Sequence, residues 1–261
     1  SVGLGSSGSG NPPSFTATNS SSSPATATVT ITPTANACTG PTSNYTITVN
    51  PTPTVTVPAN STYCNGAVIP AMTFTSPTSG TTYSWTNSNT SIGLAVSGSG
   101  NIAAFTATNT TTAAISATIT VTPSANNCTG TPSTYTITVI PSPTVTVPSN
   151  TSECTGTLIP GSTFTSNIAG TTYSWTNSGP VIGLAASGVG DVPSFTATNT
   201  STVPFVATIV VTPSANGCTG PTSSYTITVN PSPVITFVPV APICYTSPSF
   251  TLSQASPAGG T

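Results

Sequence analysis

The sequence repeats itself every 90 residues, and this period restricts the possible folds more than any other feature. Several cysteine and aromatic positions recur at that interval, for example 128 − 38 = 90 and 218 − 128 = 90: Cys38, Cys128 and Cys218; Cys64, Cys154 and Cys244; Trp85 and Trp175; Phe15, Phe105 and Phe195; Tyr45, Tyr135 and Tyr225. A period of this length is too long for one coil of a solenoid and is typical of a β-sandwich domain.

The repeats predict four segments along the chain, separated by Pro-x-Pro sequences. Residues 1–50 are expected to be the C-terminal part of a first repeat, 51–140 and 141–230 two complete repeats, and 231–261 the start of a further, diverged repeat. Because proline fixes φ and stiffens a linker toward an extended conformation, we expect a string of domains held lengthwise.

Within residues 51–140, apolar residues alternate with Thr and Ser, which predicts about seven short strands. The predicted strands are residues 55–57, 72–74, 83–85, 92–96, 105–108, 115–122 and 135–139, with turns at 97–100 and 128–130. This pattern predicts an all-β fold of tandem immunoglobulin-like β-sandwiches. The aromatic residues predicted to lie in the cores are Trp85, Trp175, Phe105, Phe195, Tyr135 and Tyr225.

The lack of charged side chains excludes most kinds of chemistry. The chain has no Lys, Arg or His, and its two carboxylates are Glu153 and Asp191. Nucleic-acid binding needs Lys or Arg to neutralise phosphates, and acid–base catalysis needs positioned titratable groups. We therefore expect no enzyme activity, no cofactor, no metal site and no nucleic-acid partner. No apolar run approaches the roughly 18 residues of a membrane-spanning helix, so no span is expected in this segment.

The six cysteines predict structural disulfides in an exported protein, because a metal site would need closely spaced Cys or His pairs. The expected strand order places Cys64 and Cys128 at opposite ends of one repeat, which favours a bond between neighbouring repeats, Cys64 with Cys218. The alternative is one bond inside each repeat, Cys64 with Cys128 and Cys154 with Cys218. In the favoured pairing, Cys38, Cys128, Cys154 and Cys244 are free or have partners outside this segment.

Several short motifs resemble those of the PKD-like (polycystic-kidney-disease-type) repeats. They are Tyr83-Ser84-Trp85, Ser91-Ile92-Gly93-Leu94, Phe105-Thr106-Ala107-Thr108-Asn109, Asn127-Cys128-Thr129-Gly130 and Tyr135-Thr136-Ile137-Thr138-Val139. Such repeats occur in giant secreted surface proteins of gliding Bacteroidota, often ahead of a type IX secretion sorting domain. Trp85 is followed here by Thr86-Asn87-Ser88 and not by the acidic Asp-Phe-Gly-Asp-Gly of many PKD domains. A metal or glycan role of that acidic loop therefore does not carry over.

The expected function is structural: a stalk or filament segment of a very long extracellular surface protein of the adhesin type, without catalysis. The resemblance implies an extracellular location at the cell surface. One alternative is that the repeats themselves bind a polysaccharide or solid surface, and another is that they are the spacer of a secreted hydrolase. The expected partners are neighbouring repeats of the same chain, and also like chains in a filament or surface glycan.

Overall fold

The computed structural model describes residues 2–233, together with the backbone of two short strands, Thr236–Phe237 and Ala255–Ser256. Among these residues the structure consists of β-strands and loops, with one short 3-10 turn at Thr90–Ile92 and no α-helix. The chain divides into two compact units, residues 1–141 and 142–261. The predicted all-β class of β-sandwich repeats is confirmed.

The first unit begins with two antiparallel strand pairs. The pairs are formed by β1 (Ala25–Ile31) with β4 (Ser43–Val49), and by β2 (Thr34–Ala35) with β3 (Cys38–Thr39). The pair β2–β3 is a hairpin closed by two residues, Asn36 and Ala37, which both have positive φ. Two such residues form the type I′ turn that matches the twist of a β-ribbon.

The rest of the first unit is a β-sandwich. Its strands are β5 (Ser61–Cys64), β6 (Val68–Ile69), β7 (Thr82–Asn87), β8 (Ser97–Ser99), β9 (Phe105–Thr106), β10 (Ile115–Ala125), β11 (Cys128–Thr129) and β12 (Ser133–Ile140). The larger sheet has the order β5-β12-β10-β7-β8, and β11 pairs with β10. Only β5 and β12 run parallel in this sheet. The facing layer contains the pair β6–β9 and the bridges Met72↔Ile102 and Thr56↔Thr75.

The second unit repeats this architecture. Its strands are β13 (Thr151–Cys154), β14 (Leu158–Ile159), β15 (Thr172–Ser178), β16 (Ser187–Val189), β17 (Phe195–Thr196), β18 (Phe205–Ala215), β19 (Cys218–Thr219) and β20 (Ser223–Asn230). The order β13-β20-β18-β15-β16 matches that of the first sandwich, and β14 pairs with β17. A final antiparallel pair joins β21 (Thr236–Phe237) to β22 (Ala255–Ser256).

Period-2 alternation explains why β10 and its equivalent β18 are the central strands. In β10 the side chains of Ala117, Ile119 and Val121 are fully buried, whereas the intervening Ser116 and Thr118 are exposed. Successive side chains of a strand point to opposite faces, so this sequence can bury only one of its faces. Trp85, Tyr135, Trp175, Phe195 and Tyr225 are buried in the two cores. Phe105 is half-buried at the margin of the first core.

The predicted strand at residues 92–96 is wrong. Ile92 ends the 3-10 turn, and Gly93 follows in the left-handed region with φ 94°. The apolar residues Ile92 and Leu94 are both buried, but they reach the core from this turn and not from a strand. The strand lies at Ser97–Ser99 instead, where the sequence predicted a turn, because Gly98 packs directly against the ring of Trp85.

Three other predictions differ from the structure in extent. The expected strands at residues 55–57 and 72–74 are reduced to isolated bridges, and that at 105–108 to two residues. The parallel strand β5 was not predicted at all. Most of the segment 231–261, including Cys244, lies outside the described residues. The division into four segments, with three boundaries between them, stays a prediction.

Candidate functional site

Cys64 and Cys154 each lie at the end of a repeat where the chain exits. Cys64 is the last residue of β5 and lies beside Ile140, the last residue of β12; Cys154 lies in the same way beside Asn230. The following turns match: Asn65 N donates to Ile140 O at 2.8 Å, and Thr155 N donates to Asn230 O at 2.9 Å. We call Cys64 and Cys154 the exit-strand cysteines.

The other described cysteines lie at the opposite end of a repeat, each directly after a two-residue hairpin turn. Cys38, Cys128 and Cys218 pair with Ala35, Ala125 and Ala215, respectively. Next to each of the last two hairpins, a glycine packs against the segment through which the chain enters the sandwich. A Cβ at Gly130 would overlap the carbonyl oxygen of Pro53, and a Cβ at Gly220 would overlap that of Pro143. We call Cys38, Cys128 and Cys218 the hairpin cysteines.

The structure distinguishes these cysteines by oxidation state. Cys64 and Cys218 are disulfide-bonded, whereas Cys38, Cys128 and Cys154 are free. The alternative of one bond inside each repeat is therefore not formed, since it needs Cys128 and Cys154. The state of Cys64 and Cys218 supports the favoured pairing of these two residues.

Strand length explains why a bond inside one repeat is impossible. Cys64 lies at the Ile140 end of the sheet, and Cys128 pairs with Ala125 at the other end of the 11-residue strand β10. At a rise of about 3.4 Å per residue these two ends are roughly 34 Å apart. The Cα atoms of a disulfide lie within about 7 Å of each other.

A buried asparagine closes the exit end of each sandwich. Asn199 is 7% exposed, and its side-chain amide donates to Val203 O at 2.8 Å and Val229 O at 2.7 Å. Its Oδ1 accepts from the backbone N and the hydroxyl of Ser201, both at 2.8 Å. Asn109 and Asn19 make the same contacts in their segments. This side chain satisfies one carbonyl near the end of the last strand and one in the loop before the central strand.

The outer face of the larger sheet in the first unit carries aligned hydroxyl groups. Register places Ser97, Thr86, Thr120 and Thr134 in one row across four strands. Neighbouring rows contain Ser99, Ser84 and Thr122, or Thr62, Thr138 and Ser116. Ser116 and Thr138 are hydrogen-bonded at 2.9 Å. We call this surface the hydroxyl face; the Ser and Thr residues that form it are uncharged.

The equivalent face of the second unit is interrupted by valines. Val189, Val206 and Val210 stand where the first unit has Ser99, Ser116 and Thr120. Val189 is 83% exposed and Val206 51% exposed. The two units therefore present different surfaces on the same scaffold.

The two carboxylates have no shared site. Asp191 accepts a hydrogen bond from Phe164 N at 3.0 Å, as Asn101 does from Phe74 N at 2.9 Å in the first unit. Glu153 lies on the short strand β13. Over the described residues, His, Cys, Asp and Glu form no group of three that could hold a metal ion. The described residues also include no helix long and apolar enough to span a membrane.

The buried tyrosines ionise at unusually high pH. Burial raises the pKa of Tyr135 to about 12, and burial also raises that of Tyr225. The Tyr135 hydroxyl donates to Met72 Sδ at 3.0 Å inside the first core. The folded state therefore favours the neutral phenol.

We expect the first unit to lose stability as the pH rises above 10. The unfolded tyrosine ionises at its ordinary pKa of about 10, while the folded one stays neutral up to about 12. Stability is therefore complete below pH 10 and falls as the pH rises through 12, by about 1.4 kcal/mol at pH 11. Urea unfolding at pH 8 and pH 11 measures this loss. Tyr135→Phe should remove most of it, and an equal loss in that variant would contradict the assignment.

Two structural sites were not predicted from the sequence, although a signal for each was present. The asparagine at this position recurs every 90 residues as Asn-x-Ser or Asn-x-Thr, and it is half-buried at Asn19 and buried at Asn109 and Asn199. Gly98 and Gly188 also recur at that interval, 13 residues after each Trp (98 − 85 and 188 − 175). A polar residue or glycine at a fixed place in a repeat indicates a specific backbone contact, which alternation alone does not reveal.

One protein-family model matches part of the chain. Residues 61–143 match the family model of the PKD-like domain. No curated protein matches the chain. Among solved structures, DIP-gamma IG1+IG2 is 10% identical with a TM-score of 0.35, covering 69% of this chain and 98% of that one.

Two cadherin structures have similarly low sequence identities and TM-scores. Protocadherin gamma B2 extracellular cadherin domains 3–6 are 13% identical with a TM-score of 0.32, covering 73% of this chain and 55% of that chain. Mouse cadherin-23 EC22–24 is 13% identical with a TM-score of 0.29, covering 79% and 74%. The chain thus spans about half of the protocadherin fragment. The family match supports the interpretation of the repeats as PKD-like, immunoglobulin-like β-sandwiches.

Proposed function

We propose that this chain is a non-catalytic stalk segment of a long extracellular surface protein, in which each repeat adds length along one direction. The observation that carries this proposal is the position of the two ends of a repeat. The chain enters the first sandwich at Pro53, beside the hairpin of Cys128, and leaves it at Ile140, beside Cys64. These ends are separated by the length of β10, roughly 34 Å.

The second sandwich has the same arrangement, with entry at Pro143 beside Gly220 and exit at Asn230 beside Cys154. Domains with entry and exit at opposite ends extend a chain, whereas domains with adjacent ends let it fold back. The linker residues Pro141 and Pro143 restrict the backbone to extended conformations. Disulfide-bonded cysteines support an oxidising, extracellular location.

Small-angle X-ray scattering of the full chain tests the stalk. A compact domain of this length would have a radius of gyration of roughly 18 Å, and we expect about 25 Å or more for repeats arranged end to end. Circular dichroism of the same sample must show folded β-structure, since an unfolded chain would reach roughly 56 Å. A folded chain with a radius near 18 Å would contradict the proposal.

The hydroxyl face favours a second candidate function, adhesion to polysaccharide. Its aligned Ser and Thr side chains offer both donors and acceptors on a pleated surface, and sugars present the same groups. The resemblance to surface proteins of gliding bacteria is compatible with either role.

Retention on insoluble cellulose tests this second function. The variant Ser99→Val, Ser116→Val and Thr120→Val gives the first unit the residues of the second, and its valines keep a high strand propensity. We expect the wild-type chain to be retained and the variant to be lost from the pellet. Equal retention of both, or no retention of the wild type, would exclude adhesion through this face and leave the stalk proposal untouched.

A further inference from the structure

The two disulfide-bonded cysteines belong to different classes of position. Cys64 is an exit-strand cysteine, and its strand ends beside Ile140, at the end of the first unit. Cys218 is a hairpin cysteine, and the neighbouring Gly220 packs on Pro143 at the start of the second unit. Within its own unit, each residue therefore lies at the end where the chain passes from one unit to the other. A bond between them joins an exit-strand cysteine to the hairpin cysteine of another repeat. We call this the pairing rule.

Cys154 has the surroundings of Cys64 but is free. Gly156 N donates to Ala197 O at 2.7 Å, as Gly66 N donates to Ala107 O at 2.8 Å, so the turn after each cysteine has the same geometry. Cys154 is exposed. The thiol is thus held in the position in which the equivalent Cys64 is oxidised.

The matching hairpin position is also available on this chain, at Cys38. This residue is exposed and free, and it pairs with Ala35 as Cys218 pairs with Ala215. The hairpin of Cys128 is less accessible, because Asn50 Nδ2 donates to Asn126 O in its turn at 3.1 Å and Cys128 is only partly exposed.

We propose that Cys154 is a covalent docking site for the hairpin cysteine of another repeat of this type, and that between two copies of this chain it joins Cys38 of the second copy. The proposal deepens the stalk function proposed above and rests on it. With such a bond, repeats of different chains can be linked covalently end to end.

The bond forms by two thiol–disulfide exchanges with a small-molecule disulfide such as oxidised glutathione. The Cys154 thiolate attacks one glutathione sulfur, breaking its S–S bond and releasing one glutathione thiolate. The Cys38 thiolate of the second copy then attacks Cys154 Sγ of the mixed disulfide and releases the second. Two protein thiols lose two electrons in total, and one oxidised glutathione becomes two reduced molecules.

Oxidation of the full chain, followed by non-reducing electrophoresis, tests the pairing by complementation. Every protein in the test carries Cys244→Ser, because Cys244 is the sequence equivalent of Cys154 one repeat later. The chain with this change alone should form a concentration-dependent ladder of covalent oligomers with oxidised glutathione. Cys154→Ser alone and Cys38→Ser alone should each lose it, whereas Cys128→Ser should keep it. A mixture of the two inactive variants should regain a dimer that grows no further, since only one Cys154 and one Cys38 are present in each pair.

Peptide mapping of the dimer identifies the bond, with pepsin because the chain has no Lys or Arg for trypsin to cleave at. A peptide joining Cys154 to Cys38 is expected, and Cys64 joined to Cys218 in both monomer and dimer. Oligomers that persist in Cys154→Ser, or a mixture that yields no dimer, would overturn the proposal. A peptide joining Cys64 to any residue other than Cys218 would overturn the pairing rule. The scattering result for the stalk is independent of these outcomes.

Discussion

Replacing Asn199 with Asp is expected to destabilise the second unit by about 3 to 5 kcal/mol at pH 7. The two residues have nearly the same shape, but the carboxylate cannot donate. Its oxygens would face the carbonyls of Val203 and Val229, which now accept from the Asn199 amide at 2.8 and 2.7 Å. A buried acceptor that loses its donor costs about 1–3 kcal/mol, and an uncompensated buried charge adds to that.

The pH dependence of the Asn199→Asp variant distinguishes this cause from a general packing defect. The surroundings favour the protonated acid, which raises the folded-state pKa above the unfolded value of about 3.9. Stability relative to the wild type is therefore highest below pH 4 and is lost as the pH rises through the folded-state pKa. Urea unfolding of the variant and the wild type at pH 3 and pH 7 measures this difference.

Asn150→Asp is the matched control. Asn150 is exposed, and its Oδ1 accepts from Thr226 N at 2.8 Å, a bond that a carboxylate also makes. We expect its stability to stay within about 0.5 kcal/mol of the wild type. If both variants lost equal stability, the donor function of Asn199 would not be the cause.

Replacing Gly188 with Ala should also destabilise the second unit strongly, by about 3 kcal/mol. The added Cβ would overlap Cζ2 of Trp175, and the next ring atom, Cε2, is 2.6 Å away. The ring has no room to move, because Trp175 is only 3% exposed in the core. Protection of β18 amides from hydrogen exchange measures the loss in this unit separately from the first.

A double-mutant cycle with Trp175→Phe isolates this contact. The benzyl ring of Phe is shorter than indole and leaves space beside residue 188. Among the described residues Trp175 Nε1 has no hydrogen-bond partner, so Phe removes no such bond. We expect Gly188→Ala to cost at least 1 kcal/mol less in the Trp175→Phe background, within the range of coupling energies for residues in contact. Strictly additive effects would show that the overlap with the ring is not the cause.

The sequence alone was sufficient for the parts of the fold that depend on alternation. Apolar residues and hydroxyls alternate along β10 and along residues 134–139 of β12, and a strand with that pattern has only one face that can enter a core. Because the sequence repeats every 90 residues, the strands of the second sandwich could be predicted from those of the first. Strand order along the chain was also enough to separate Cys64 from Cys128, since a strand of that length cannot be bridged by a disulfide.

Only the tertiary structure decided the remaining features, because each depends on a partner distant in sequence. Ser61–Cys64 is a strand because its backbone pairs in parallel with β12, about 76 residues later. Ser97–Ser99 is a strand and not a turn because the Trp85 ring fills the space above Gly98. Asn199 is buried because two backbone segments, the loop at residues 201–203 and the end of β20, leave polar groups at one point that its amide can satisfy. Local alternation carries no information on such contacts, which form only when the two sheets have packed.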